Sequence, residues 1–238
     1  MKTKYEKIFI GVFANLVLIF IITSIFLLSL GGSILHVDEK SEYAAIYRGN
    51  AEKKQVSLMF NVYWGTEFIN GILSVLSENN SKATFFVGGT WAEKNDILLK
   101  KIYDEGHEIG NHGFFHIDHK KAVYSKNQEE ILIAERLIES ILDFKTNLFA
   151  PPSGSFSATT LKAAYDLGYK TIMWSKDTID WRDIDENLCF TRATKDLKNG
   201  DLVLVHPTAH TLAALPRILK FYSEKGFSQV PVSVNIAE

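Results

Sequence analysis

Two histidines four positions apart, His112 and His116, have a spacing that suits chemistry. On a helical turn that spacing puts both imidazoles on one side, close enough to share a divalent metal. A surface or structural pair fits the same spacing. His206 closes the apolar run 202–205 and precedes Pro207. Imidazole is the usual acid or base near neutral pH, although a histidine placed there also serves as a packed, hydrogen-bonded residue. Asp177 and Asp180 stand just before Trp181. They can orient a charged partner beside an aromatic wall, or form a helix cap and a turn.

An alternation of strand-like and helix-like segments must position these residues. Residues 56–61 are a short apolar run rich in strand formers, and residues 67–78 carry Phe68, Ile69, Ile72, Leu73 and Leu76 at helical spacing. Further strands are expected at 83–87, 108–111, 148–149, 171–174, 202–205 and 229–232. Helices are expected from a cap at Asn95 to about 105, from a capping box of Ser125 and Gln128 through Ile141, and at 157–167, 186–198 and 208–225. Strand and helix repeat about seven times, which calls for parallel strands joined by right-handed crossovers. An open doubly wound sheet and a barrel both satisfy that pattern. No glycine-rich phosphate loop follows the first strand, which disfavours nucleotide-binding folds. In a parallel α/β fold, reactive side chains collect just after the carboxyl ends of strands. Asn61, Tyr63 and Trp64 stand there, as do His112 and His116, Ser153, the Asp177–Asp180–Trp181 group and His206.

These blocks, in this order, resemble the polysaccharide deacetylases with a NodB-homology domain (carbohydrate esterase family 4). The resemblance covers residues 54–234. Phe60-Asn61-Val62-Tyr63-Trp64-Gly65, Phe149-Ala150-Pro151-Pro152-Ser153-Gly154-Ser155 and His206-Pro207-Thr208 resemble the sporulation-associated branch most. The resemblance implies a deformed (β/α)7 barrel, TIM-like, that removes N- or O-acetyl groups from chitin-like, xylan or peptidoglycan chains. It implies one divalent metal (zinc or cobalt) held by an Asp and two His, a second Asp as base and a late His as acid. By position, His112 and His116 match the metal histidines and His206 the acid. Leu204 matches the apolar wall of the acetyl pocket, and Ser153 the residue near the oxyanion N–H groups. Asp177, Asp180 and Trp181 match the fourth motif.

The first motif departs from the family pattern. Its two adjacent Asp residues, base then metal ligand, are Asn61 and Val62 here. An amide oxygen takes up no proton near pH 7, and valine has no metal-binding atom. The Arg that opens the third motif and pairs with the base is Ala150. Beside a neutral Asn61, a buried Arg would be an unpaired charge costing several kcal/mol, so the losses are mutually consistent. Three readings stay open. One is an enzyme using His112, His116 and His206, with Glu67, Asp177 or Asp180 as substitute base. The second is a glycan binder with Tyr63, Trp64 and Trp181 as stacking faces. The third is an envelope scaffold.

Residues 8–30 contain no charged side chain and follow Lys2, Lys4 and Lys7. As a helix they would reach roughly 34 Å, enough to cross a bilayer core. The positive-inside rule then gives a single-pass membrane protein with a cytoplasmic tail (1–7), an anchor (8–30), a linker (31–53) and an extracytoplasmic domain (54–238). A cleaved signal peptide, with Gly31, Gly32 and Ser33 at the cleavage site, is the rival, and it also exports the rest. The 238-residue chain is 46% hydrophobic and 23% charged, long enough for a sizeable core and unlike a disordered chain. Net charge is −2 and no Lys/Arg stripe marks a nucleic-acid surface. The single cysteine, Cys189, excludes an intramolecular disulfide. The expected partners are peptidoglycan or another N-acetylated glycan, and the membrane.

Overall fold

The computed structural model describes residues 13, 15–17, 19–21, 23 and 43–237. Eight positions of the apolar run 8–30 are among them, all helical. The rest of the expected anchor, and residues 1–7, lie outside the described residues. Among the described residues no helix is long and apolar enough to cross a membrane.

Tyr43–Glu238 forms one compact unit. Its elements in chain order are β1 (Gln55–Val62), α1 (Thr66–Glu78), β2 (Thr84–Val87), α2 (Gly89–Lys94), α3 (Asp96–Asp104), β3 (Glu108–Asn111) and α4 (Tyr124–Leu142). Then come β4 (Leu148–Phe149), α5 (Ala158–Asp166), β5 (Lys170–Thr171), β6 (Lys176–Asp177) and α6 (Glu186–Thr194). The chain ends with β7 (Asp201–Val205), α7 (Ala209–Glu224), β8 (Ser228–Gln229) and α8 (Val232–Asn235). The strands form one eight-stranded sheet in the order β5-β4-β3-β2-β1-β7-β6, with β8 on the start of β1. Every strand pairing is parallel. β1 is central and apolar along most of its length because a parallel strand is covered on both faces. Val62, Phe60 and Leu58 face a large core shared with α1, α3 and α7, while Met59 joins Phe86, Ala150 and Leu204 in a second apolar cluster.

The sheet curls into a half-barrel, and residues 46–50 cross its open side. Ile46 bridges Ile172 in parallel, and Arg48 bridges Asp201 in antiparallel fashion. Asp201 is fully buried and receives Arg48 Nη1 at 2.5 Å, Ser175 Oγ at 2.6 Å and the Lys198 N–H at 2.7 Å. Of the expected linker 31–53, residues 31–42 lie outside the described residues, and residues 46–49 bond to the strands.

Other expectations change too. The strand expected at 171–174 is only Lys170–Thr171, because Ile172 and Met173 turn to meet Ile46. Lys176–Asp177 adds a strand without a helix before it. The strand at 229–232 stops at Gln229, where Pro231, which has no N–H for a ladder, caps α8 instead. Ser125 caps nothing: α4 begins at Tyr124, because the buried Asn127 side chain donates to the carbonyls of Ala122 and Val123 and carries the turn back past it. Asn95 is the N-cap residue of α3, as expected, and its carbonyl accepts from Leu99 N, but its side chain donates to Trp91 O and makes no cap bond.

Candidate active site

A cavity of about 360 Å³ opens at the carboxyl ends of the strands. Asn61, Tyr63 and Trp64 line it from β1 and its loop; His112 and His116 from the loop after β3. Ser153, Asp177, Leu204, His206 and Trp181 complete the set expected from the sequence, and Asp180 lies behind His206. Trp174 also lines the cavity and was not among the expected site residues. It packs on Gly154, where a Cβ would come within 2.6 Å of the indole. A tryptophan just after a short strand, opposite a glycine, was the signal for it.

Gly65 brings two rims together. It has φ +76°, and a Cβ there would fall 1.9 Å from Pro207 O. Only glycine permits that approach. The result is Trp64 stacked on His206, with ring centroids 5.7 Å apart.

His112 and His116 do meet, with ring centroids 5.3 Å apart, but on a loop rather than a helical turn. Gly113 and His116 both have positive φ. The loop is clamped from below: Asn111 Oδ1 accepts from Gly113 N, and the buried Glu130 Oε2 accepts from the N–H groups of Phe114 and Phe115. His112 Nδ1 donates to Ala150 O at 2.7 Å, which leaves Nε2 as the acceptor of the neutral ring. Burial, then the neighbouring His116, pushes the His112 pKa down to about 3. Burial lowers His116 as well.

Asp180 is the anchor of His206. Its Oδ1 takes His206 Nδ1 at 2.7 Å, and its Oδ2 takes the His206 N–H at 2.6 Å and Thr211 Oγ1 at 2.5 Å. Ile179, β-branched and at φ 54°, holds Asp180 in place; its strain is offset by bonds to Asp177 Oδ1 and by Arg192, which donates to Thr178 O and pairs with Asp183. Asp177 is thus a turn-former that also lines the cavity. Asp180 lies in the turn that Ile179 O closes with the N–H groups of Arg182 and Asp183, and its carboxylate serves His206 rather than the turn. Glu67, on α1, is outside the cavity lining.

The donor set does not fit the family's metal centre. Val62 lies in the apolar core, and among the described residues no third His, Cys, Asp or Glu joins the histidine pair in a group that could hold an ion. Catalytic zinc usually takes three protein ligands. The base position is equally altered. Asn61 is 4% exposed, and its Oδ1 has no hydrogen-bond partner. Ala150 places a methyl group in the second apolar cluster and uses only its backbone, to orient His112.

The chain belongs to the polysaccharide deacetylase family, whose model matches residues 48–172. It is 37% identical over 183 residues to the uncharacterized protein YlxY of Bacillus subtilis, covering 77% of this chain and 57%, just over half, of YlxY. A peptidoglycan-N-acetylglucosamine deacetylase of Bacillus cereus is 33% identical over 168 residues, covering 68% of this chain and 78% of that protein. Among solved structures, BA3943 of Bacillus anthracis, a CE4 family pseudoenzyme, superposes with TM-score 0.81 at 36% identity, over 84% of this chain and 71% of that one. A BA3943 mutant with restored enzymatic activity also superposes with TM-score 0.81, at 34% identity over 84% of this chain and 74% of its own. These matches agree with a deformed NodB-type barrel.

Proposed function

We propose that this domain binds amino-sugar strands of the cell wall without deacetylating them, held at the outer membrane face by residues 8–30. The carrying observation is Asn61: a buried amide with an unpartnered oxygen sits where the family places its base. The paired histidines beside it lack a carboxylate. The cavity keeps features that recognise sugar, including Tyr63, Trp64 and the half-exposed Trp181 at its mouth. The peptidoglycan deacetylase among the relatives supports a glycan ligand, and the pseudoenzyme supports loss of chemistry.

Pull-down on purified peptidoglycan, with an acetate-release assay on the same sample, tests this. Binding without acetate is expected, and Trp181→Ala should weaken binding about tenfold, as for an aromatic anchor. The intact Asp180–His206 pair favours a second reading, a deacetylase with a substitute base. Acetate release that disappears in His206→Ala would establish that reading instead.

A further inference from the structure

We propose that the cavity selects the protonated amine of a glucosamine unit over its acetamide form. This rests on the glycan-binding reading and specifies which glycan. Three features carry it. The first is Asn61, which lines the cavity and whose buried Oδ1 has no hydrogen-bond partner. A buried acceptor left unpaired is costly, and a flip of the amide that turns this oxygen to a ligand donor relieves it. The second is the His112 tautomer, which Ala150 O fixes with Nε2 as a further acceptor. The third is charge. Among the described residues Asp177 is the only carboxylate of the lining and no Lys or Arg lines the cavity; Arg182, over the Trp181 ring, acts on Asp177 from outside the lining. The indoles of Trp64 and Trp181 add π faces that attract a cation.

An ammonium group matches this lining. It brings three N–H donors, no acceptor and a positive charge opposite Asp177. An acetamide brings one N–H, adds a carbonyl that needs a donor of its own, and leaves Asp177 with only the Ile179 N–H and no cation in the cavity. Charge-assisted bonds are the stronger ones, so the preference should be large.

The test is calorimetric titration of the full chain in detergent with β-1,4-linked glucosamine tetramer and N-acetylglucosamine tetramer. The amine form should bind about tenfold tighter or more. Asp177→Asn and Asn61→Leu should each shrink that ratio. Both variants should fold, since an amide at 177 still accepts from the Ile179 N–H and leucine at 61 removes a buried unpaired atom. Thermal melts check this. Equal or tighter binding of the acetylated tetramer overturns amine selection and leaves glycan binding standing. A preference unchanged in both folded variants overturns the assignment to Asn61 and Asp177. Failure of both tetramers to bind overturns amine selection together with the glycan-binding reading.

Discussion

Trp64 lies flat against His206, the two ring planes 4° from parallel. Asp180 grips the same imidazole at Nδ1, so His206 is fixed by a stack and by a charged hydrogen bond. Such a residue is held for a purpose, because ordering two rings and a buried carboxylate costs conformational entropy. The consequences of that arrangement can be measured.

Gly65→Ala should disrupt the stack. The added methyl would collide with Pro207 O in a backbone conformation that alanine resists. We expect a loss of about 2 kcal/mol or more in stability. Near-ultraviolet circular dichroism should also change as Trp64 leaves His206. An unaltered spectrum would show that the loop relaxes without moving the ring.

Asp180→Asn should destabilise the domain by about 2–4 kcal/mol, since an amide cannot satisfy the donors that converge on this buried carboxylate. Urea unfolding measures it. Thr211→Val removes one of those donors and should cost less, about 1 kcal/mol.

Acid should weaken the fold before the carboxylates begin to protonate. Burial holds His112 down to about 3 and, with help from Lys82, His107 down to about 4, against an ordinary value of 6.5. Between those values the unfolded chain binds protons that the folded chain refuses. Stability therefore falls as pH drops from about 6.5 towards 4, and these two groups leave it flat above that window. Urea midpoints at several pH values should show the slope. His107→Gln, which keeps an acceptor for the Ala83 N–H, should remove part of it.

The native chain should show no tight zinc or cobalt site by calorimetry, because two imidazoles are a poor donor set. Replacing Asn61 and Val62 by Asp and Ala150 by Arg supplies the missing carboxylates and a cation to pair with one of them. That triple variant should bind zinc, lose the site again in His112→Ala, and release acetate. A tight site in the native chain would contradict our description of the centre.

Much of the cavity was legible because strand ends carry it. The apolar runs of β1 and β7 announce themselves, and the residues at their carboxyl ends, Asn61 inside β1 and His206 just after β7, line the same opening. His112 and His116 were paired for the wrong reason. Their four-residue spacing suggests a helix, whereas the contact depends on Gly113 and on Glu130, a distant residue whose carboxylate clamps the loop. Asp180 is the turn residue the sequence allowed and also orients a partner, but that this partner is His206, 26 positions away, could not be read from the pattern. Two-residue strands such as β6 carry too little pattern to be read, and the packing of residues 46–50 depends on strands that follow much later in the chain.

The crossing of the open side by residues 46–50 has a consequence for how the domain assembles. Arg48 and Gly49 meet Asp201 and Gly200, and one edge of β1 is covered only by β7. The first strand of the domain must wait for residues about 150 positions downstream, a loop closure of the kind that slows folding. Until then β1 presents an unpaired apolar edge, the feature most prone to misassociation. The vulnerable interval in the life of this molecule is thus its synthesis, while β1 exists and its late partner does not.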